Sequence, residues 1–217
     1  MSGAAAQAGR APQFTLRSQP VQSEIVTRHS PGLDQFFASL PGTPTAILDL
    51  AGANQANIEF ITGLGHRIFS DDIARALENA FGEGPESFAN QNDPARVEQF
   101  KSATLDFGVN ALGGALLWDT LQYLSPPLLT ETLDQLFHII EPGSSLLAYF
   151  NSDERSALTP VCSYRIVDRK TVQIAPRGYN RPAQHFNNRA LEKIFNRFNS
   201  VKFFLSRDNL REVLVRR

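Results

Sequence analysis

One segment of the chain joins a buried strand to a helix through a very short loop. It runs from Thr45 to Ile61 and has the sequence TAILDLAGANQANIEFI. Its apolar run ends in Asp49 and suits a strand that is buried on both faces. A loop of small residues follows, and from about Asn54 the spacing of Ile58 and Ile61 predicts a helix. This layout is typical of parallel sheets that hold a nucleotide-like ligand, so the segment favours an α/β fold.

Apolar runs and helical patterns alternate along the rest of the chain. Further strands are predicted in HRIFSDD, ATLDF, GGALLW and SSLLAYFN, and helices in PGLDQFFASLPG, DIARALENAFG, DPARVEQFKSA, PLLTETLDQLFHII and NRALEKIFNRF. The polar DRK turn in YRIVDRKTVQIA predicts a hairpin, and VKFFLSRDNLREVLVRR predicts a second hairpin at the C-terminus. The expected architecture is a mostly parallel sheet with helices on both faces and a closing antiparallel hairpin.

Length and composition favour one domain. The chain has 217 residues, of which 42% are hydrophobic, enough for a single well-packed core. We assign the domain to residues 31–217, with residues 160–186 as an inserted hairpin and connector. Residues 1–30 are predicted to be a disordered or loosely ordered tail, because the opening MSGAAAQAGRAPQ has no apolar face.

Composition also bounds location and partners. No run of about 18 apolar residues occurs, so we expect a soluble protein without membrane association, in the cytoplasm. The single cysteine, Cys162, excludes an intrachain disulfide framework. A formal charge of −1 gives no support for generic nucleic-acid binding. The four histidines are scattered, so no metal site is predicted.

A local excess of positive charge follows Tyr164. The basic residues are Arg165, Arg169, Lys170, Arg177, Arg181 and Arg189, against a single acid, Asp168. This segment is either a solvated surface or a recognition surface for an anionic substrate or partner. Arg165 and Arg177 are the substrate-contacting candidates.

The order of these elements resembles that of the class I S-adenosylmethionine-dependent methyltransferases. The resemblance extends from Thr45 to the C-terminus and includes the acid after the first strand of the sheet, the acidic end of the second, and the closing hairpin. The EPG turn before a late strand is similar to the kPGG turn of that family. The resemblance implies a three-layer Rossmann-like methyltransferase fold with S-adenosylmethionine as the cofactor.

The family's glycine loop is altered in this chain. The motif D-x-G-x-G-x-G falls on Asp49 to Gln55, and its three glycine places hold Ala51, Ala53 and Gln55. The only glycine of the loop, Gly52, is out of register. A tight turn remains possible if Gly52 or Asn54 adopts the left-handed conformation. The resemblance therefore assigns Asp49 and residues 51–54 to cofactor binding.

Two acids follow the second of these strands. The resemblance implies that Asp71 or Asp72 holds the ribose hydroxyls, which a carboxylate can accept as hydrogen bonds. Asp72 has an equally good alternative, because aspartate is a common helix N-cap. Asp49 has two interpretations as well, a contact to the cofactor or an acceptor for N–H groups of the loop.

Further candidates follow the third and fourth strands. The resemblance places the adenine near Asp106 and Phe107, although Phe107 also suits a core position. Trp118 and Tyr123 would shape the pocket where methyl donor and acceptor meet, unless both are core aromatics. Asp119 is the candidate catalytic base that takes a proton from the acceptor.

Two functions of different classes remain open at the level of sequence. The first is methyl transfer from S-adenosylmethionine to an unidentified acceptor, either a small molecule or a protein, for which an anionic group is one option. The second is a non-catalytic, methyltransferase-like binding or scaffold protein, a pseudoenzyme with a degenerate cofactor loop. NAD or nucleotide-sugar chemistry on a related sheet is less favoured, because the G-x-G-x-x-G fingerprint does not follow the first strand.

Overall fold

The computed structural model describes residues 25–83, 86–153, 158–205 and 209–217. The strands within these residues are β1 (Val26–His29), β2 (Ala46–Asp49), β3 (Arg67–Ser70), β4 (Leu112–Trp118), β5 (Ile140–Asn151), β6 (Thr159–Asp168), β7 (Thr171–Asn180), β8 (Ser200–Leu205) and β9 (Leu210–Arg216). The helices are α1 (Pro31–Ser39), α2 (Gln55–Gly63), α3 (Ile73–Phe81), α4 (Ser87–Asn90), α5 (Pro94–Thr104), α6 (Pro126–Ile139) and α7 (Asn188–Ile194). A short 3-10 helix, Thr120–Tyr123, follows β4.

Polar residues fix where most helices begin. Each of these side chains accepts a hydrogen bond from a main-chain N–H of the first helical turn, which satisfies a donor that has no partner within the helix. The capping residues are Ser30, Asn54, Asp72, Asp93 and Asn187. Proline occupies the first turn of α1, α5 and α6, where its missing N–H costs nothing.

The larger of the two sheets has six strands in the order β3-β2-β4-β5-β9-β8. Strands β3, β2, β4 and β5 run parallel to one another, and β9 runs antiparallel to both β5 and β8. These pairings confirm the predicted α/β fold with a mostly parallel sheet and a C-terminal antiparallel hairpin.

The predicted strand in ATLDF is wrong. Its first residues belong to α5, which ends at Thr104, and Leu105 closes that helix by donating its N–H to the carbonyl of Lys101. Leu105 is buried, and the ring of Phe107 packs edge-on against Phe69 of β3 at 5.2 Å. The apolar residues of this segment therefore pack against neighbouring elements and do not extend the sheet, so β3 is its outer strand among the described residues.

A second sheet of three strands has the order β1-β7-β6. As predicted, β6 and β7 form a hairpin that turns at Arg169 and Lys170, and β1 pairs antiparallel with β7. The predicted tail is thus wrong for Val26–His29, which form β1 because the hairpin offers them a strand to pair with. Residues 1–24 of that tail lie outside the described residues.

Two hydrophobic cores lie on opposite faces of the six-stranded sheet. On one face, apolar residues of β2, β4 and β5 pack against α3, α5, α6 and α7. On the other face, Ile47, Leu116 and Leu147 pack with α1, α2 and the three-stranded sheet. The predicted three-layer arrangement is therefore confirmed, with the β6–β7 hairpin as part of one outer layer.

A buried carboxylate joins the N-terminus of α1 to β9. Glu212 is 1% exposed, and its Oε2 accepts hydrogen bonds from Ser30 Oγ at 2.8 Å and from the N–H of Gly32 at 2.7 Å. Its Oε1 forms an ion pair with Arg28 at 2.8 Å. These contacts connect residues 180 to 184 positions apart, so they stabilise the tertiary structure rather than one local element.

Candidate functional site at the carboxyl edge of the sheet

Asp49 ends β2 and lies at the centre of the candidate site. Its side chain is fully buried, and its Oδ1 accepts hydrogen bonds from Trp118 Nε1 at 2.7 Å and from the N–H of Ala51 at 3.2 Å. Its Oδ2 accepts from Asn57 Nδ2 at 2.9 Å. Burial raises the pKa of this carboxyl, and the hydrogen bonds oppose that rise. The loop N–H contact anticipated from the sequence is therefore present, together with two side-chain donors.

The loop after Asp49 turns through Gly52. Of the two candidates for the left-handed conformation, Gly52 adopts it with φ of 90°, whereas Asn54 is extended and caps α2. The N–H of Gly52 donates to the carbonyl of Asp71 at 2.9 Å, and the N–H of Ile73 donates to the carbonyl of Leu50 at 3.3 Å. The altered loop is thus a tight turn bonded to the segment that follows β3.

The two acids after β3 have different surroundings. Asp72 caps α3 by accepting from the N–H of Arg75 at 3.3 Å, and it forms an ion pair with Arg177 at 3.0 Å. Asp71 is partly buried, which raises the pKa of its carboxyl, and no side chain pairs with it within the described residues. The capping role predicted for Asp72 is present, which makes Asp71 the better candidate for a ribose contact.

Trp118 ends β4 with its backbone at φ of 50°, a conformation that bulky residues rarely adopt and that costs on the order of 1–3 kcal/mol. Its indole stacks on the ring of Tyr164, with centroids 4.6 Å apart and planes 6° apart. Tyr149 contacts the same indole edge-on at 5.4 Å. This stack, together with the hydrogen bond to Asp49, fixes the Trp118 ring in the interior.

Asp119 follows Trp118 and is 5% exposed. Its Oδ2 accepts from the N–H of Cys162 on β6 at 3.2 Å, and the Tyr164 hydroxyl also lowers the pKa of this carboxyl. Burial raises the pKa of Asp119 to about 7, a value suited to a group that exchanges protons at neutral pH. The predicted base therefore has suitable chemistry in a buried position.

Tyr123 lies in the wall beside Asp119. Its hydroxyl donates to the carbonyl of Pro160 at 3.1 Å and is 3.2 Å from Thr159 Oγ1. Burial raises its pKa well above the ordinary value, so the phenol stays protonated. Tyr123 thus connects the 3-10 helix to the first residues of β6.

Strand β6 crosses the edge where β2 and β4 end. Asn57 of α2 donates to the carbonyl of Tyr164 at 3.0 Å and accepts from the N–H of Ile166 at 2.7 Å. Sequence reasoning missed both Asn57 and Tyr164. The available signal was weak: Asn57 precedes Ile61 by four residues, so a polar side chain stands on the apolar face of a predicted helix.

The space between these elements is small. Among the described residues a cavity of about 10 Å³ lies beside Asp119, which is about enough for one water molecule. It is lined by residues of the loop, α3, the segment after β4 and the hairpin, among them Ala51, Ile73, Asp119, Tyr123, Cys162 and Arg177. Sites for ligands of nucleoside size or larger usually measure roughly 300–1,000 Å³. In this conformation the space beside Asp119 is therefore too small for such a ligand.

A shallower groove lies beside β3. It measures about 450 Å³ and is lined in part by Ala53, Asp71, Asp72, Arg75 and Thr104. Asp71 and Ala53 thus share an open surface, while Asp49 and Trp118 are sealed inside.

Some predicted residues are not brought together. Arg165 is exposed on β6 and does not line the cavity, whereas Arg177 does. Asp106 is exposed, and Phe107 packs on Phe69, so their predicted place after a third strand has no counterpart.

The described residues include no group of three or more His, Cys, Asp or Glu side chains arranged for a metal ion. Likewise, no described helix combines the length and apolarity that crossing a membrane requires.

Comparisons with known proteins give structural likenesses only. No protein-family model and no curated protein matches the chain. It is similar to the solved structure of 1,6-didemethyltoxoflavin-N1-methyltransferase from Burkholderia thailandensis with bound S-adenosylhomocysteine, at 16% identity over 85% of this chain and 75% of that chain, with a TM-score of 0.46. The glycopeptide N-methyltransferase MtfA, complexed with S-adenosylhomocysteine, covers 92% of this chain and 90% of its own at 12% identity, with a TM-score of 0.49. A SAM-dependent methyltransferase from Leishmania major covers 86% and 70% at 15% identity, with a TM-score of 0.46.

The strand order and the closing antiparallel hairpin decide the architecture. The chain has a Rossmann-like methyltransferase fold. Within that fold, β6 and β7 cover the edge at which the sequence predicts the cofactor.

Proposed function

We propose that the protein binds S-adenosylmethionine at the carboxyl edge of the six-stranded sheet and transfers its methyl group to an acceptor. One observation carries this proposal: the ends of β2, β3 and β4 bring Asp49, Asp71 and Asp119 to one edge, next to the amino end of α2. Ligands of open α/β sheets bind at this edge. The similar proteins whose structures contain S-adenosylhomocysteine or S-adenosylmethionine support the choice of cofactor.

The residues at this edge would have different roles in cofactor binding and proton transfer. Asp71 would accept hydrogen bonds from the ribose hydroxyls, since Asp72 is engaged by Arg75 and Arg177. The amino end of α2 would face the carboxylate of the cofactor, because helix N-termini favour anions. When bound, the cofactor supplies an electrophilic methyl group. The chain's own contribution is to bring donor and acceptor together and to accept a proton at Asp119.

The residues fit this cofactor only if β6 moves. The groove beside β3 is large enough for a nucleoside at Asp71, but the cavity of about 10 Å³ beside Asp119 has no room for the methyl-bearing end of the cofactor. The hydrogen bonds of Asn57 are also taken, by the carbonyl of Tyr164 and the N–H of Ile166. Displacement of the β6–β7 hairpin would uncover Asp119 and Trp118 together. We therefore propose a binding-competent conformation in which this hairpin is displaced.

For the acceptor we propose a small molecule or a protein segment that carries an anionic group, and for the location the cytoplasm. Arg177 supports the acceptor class, because its guanidinium lines the same cavity as Asp119. Arg165 is exposed on the hairpin and would contact only an acceptor that extends beyond the cavity.

Calorimetric titration of the purified chain with S-adenosylhomocysteine tests the proposal. We expect saturable heat and an increase of the melting temperature with ligand concentration, because a ligand that binds only the folded state stabilises it. Absence of both at millimolar ligand, in the unmodified chain and in a variant that weakens the contacts of β6, would exclude cofactor binding.

The acids after β3 provide a matched pair of variants. We expect Asp71→Ala to weaken S-adenosylhomocysteine binding at least tenfold with little change in the free energy of unfolding. Asp72→Ala should instead lower the free energy of unfolding by about 1 kcal/mol, because it removes the cap of α3. Urea unfolding and calorimetry on both variants separate the two effects. Equal loss of binding in the two would mean that Asp71 has no special role.

The second candidate function is a non-catalytic binding or scaffold protein. The sealed edge favours this function. Asn57 already has a hydrogen-bond acceptor in the carbonyl of Tyr164, and Trp118 already stacks on the Tyr164 ring, so neither needs a ligand as a partner. The two functions are distinguished by the same titration, because the scaffold function needs no cofactor.

A further inference from the structure

Tyr164 contacts the candidate site through its ring, its hydroxyl and its main-chain carbonyl. Its ring stacks on Trp118 at 4.6 Å, its hydroxyl interacts with the carboxyl of Asp119, and its carbonyl accepts from Asn57 at 3.0 Å. The side chain is fully buried. A planar ring, a hydroxyl and a carbonyl on one residue thus engage an aromatic face, a carboxylate and an amide that the site would otherwise present to a ligand.

The neighbouring main chain of β6 adds to these contacts. The N–H of Ile166 donates to Asn57 Oδ1 at 2.7 Å, and the N–H of Cys162 donates to Asp119 Oδ2 at 3.2 Å. Both groups therefore bond to side chains across the site. Farther along the hairpin, Arg177 of β7 forms an ion pair with Asp72 beside the loop at Gly52.

We propose that β6 is a built-in inhibitor of this site, with Tyr164 occupying the position of the ligand, so that cofactor binding requires the strand to leave. This inference rests on the proposed function. The measured affinity of the chain for the cofactor is then the intrinsic affinity reduced by the fraction of molecules in which β6 is displaced. A substitution that weakens the contacts of Tyr164 must therefore lower the free energy of unfolding and, at the same time, raise the affinity for the cofactor.

The variant Tyr164→Ala tests the opposed effects. We expect it to bind S-adenosylhomocysteine at least tenfold more tightly than the unmodified chain, although it is less stable. The matched control is Phe100→Ala, which removes a fully buried aromatic ring from the core on the opposite face. That control should lose stability to a similar extent without a gain in affinity.

Amide hydrogen exchange of the unmodified chain provides a test that needs no variant. With saturating S-adenosylhomocysteine, the amides of Ile166 and Cys162 should exchange at least tenfold faster, because displacement of β6 breaks their bonds to Asn57 and Asp119. Tyr164→Phe, which keeps the ring, provides a milder variant if Tyr164→Ala fails to fold, and it should also bind more tightly.

The results of these experiments separate failure of the inhibitory role of β6 from failure of the proposed cofactor binding. Binding that leaves the Ile166 and Cys162 amides equally or better protected would overturn the inhibitory role of β6 and leave the proposed function intact. Binding by neither the unmodified chain nor either Tyr164 variant would overturn the proposed function, and the inhibitor with it.

Discussion

Replacement of Glu212 by alanine is expected to lower the free energy of unfolding by about 3–5 kcal/mol. The carboxylate is 1% exposed, and it is the acceptor for Ser30 Oγ and the N–H of Gly32 as well as the ionic partner of Arg28. Its removal takes a hydrogen-bond acceptor from two buried donors and a negative charge from beside a buried guanidinium. Urea unfolding of the variant and the unmodified chain measures the loss.

The matched control for Glu212 is a carboxylate with a similar partner but with access to water. Asp134 forms an ion pair with Arg197, and the two side chains are 46% and 44% exposed. Asp134→Ala should change the free energy of unfolding by about 1 kcal/mol or less, because solvent screens exposed pairs. A loss for Glu212→Ala as small as that of the control would show that water reaches the α1–β9 junction in solution.

The order of strands and helices could be predicted from the sequence because it depends on local patterns. The apolar run before Asp49, the prolines at α6 and the DRK turn of the β6–β7 hairpin each act within a few residues. The prediction failed at Leu105 and Phe107, where two apolar positions match both a strand and a packed loop. Only the tertiary contact of Phe107 with Phe69 decides between these alternatives.

The candidate site could be predicted only in part, because its closure depends on contacts between distant residues. Asp49, Asp71 and Asp119 follow strands and could be found one by one. Asn57 and Tyr164 are 107 residues apart, and no local pattern indicates that β6 crosses the end of β2. Tyr164 stands in an alternating strand pattern that describes a hairpin but not the surface that the hairpin covers.

This closure explains how an altered glycine loop remains compatible with the fold. The segment 51–54 turns with one left-handed residue, Gly52, and its neighbour Asn54 caps α2. The main chain of β6 provides hydrogen-bond partners for the side-chain amide of Asn57 near the start of that helix. The loop therefore needs no glycine at 51 or 53 to reach this conformation.

The second large effect is expected in the pH dependence of stability, through Asp119. Its pKa is raised from an ordinary value of 3.8 to about 7, chiefly by burial, so the folded chain keeps this proton to a higher pH than the unfolded chain does. Between about pH 4 and pH 7 the folded state thus binds more protons, and the free energy of unfolding falls as the pH rises. A shift of this size corresponds to a loss of roughly 4 kcal/mol across the window.

The variant Asp119→Asn isolates this loss, because its amide cannot ionise. Relative to the unmodified chain, the variant should gain roughly 4 kcal/mol of unfolding free energy between pH 4 and pH 7, with a constant difference above that range. Asp49, whose pKa is also raised by burial, is present in both proteins and cancels from the comparison. Urea unfolding at intervals of pH measures the two curves. Parallel curves would mean that Asp119 is hydrated in solution, and hence that β6 does not seal the site. Diverging curves would confirm that the hairpin keeps the candidate base in a dry environment that favours its protonated form.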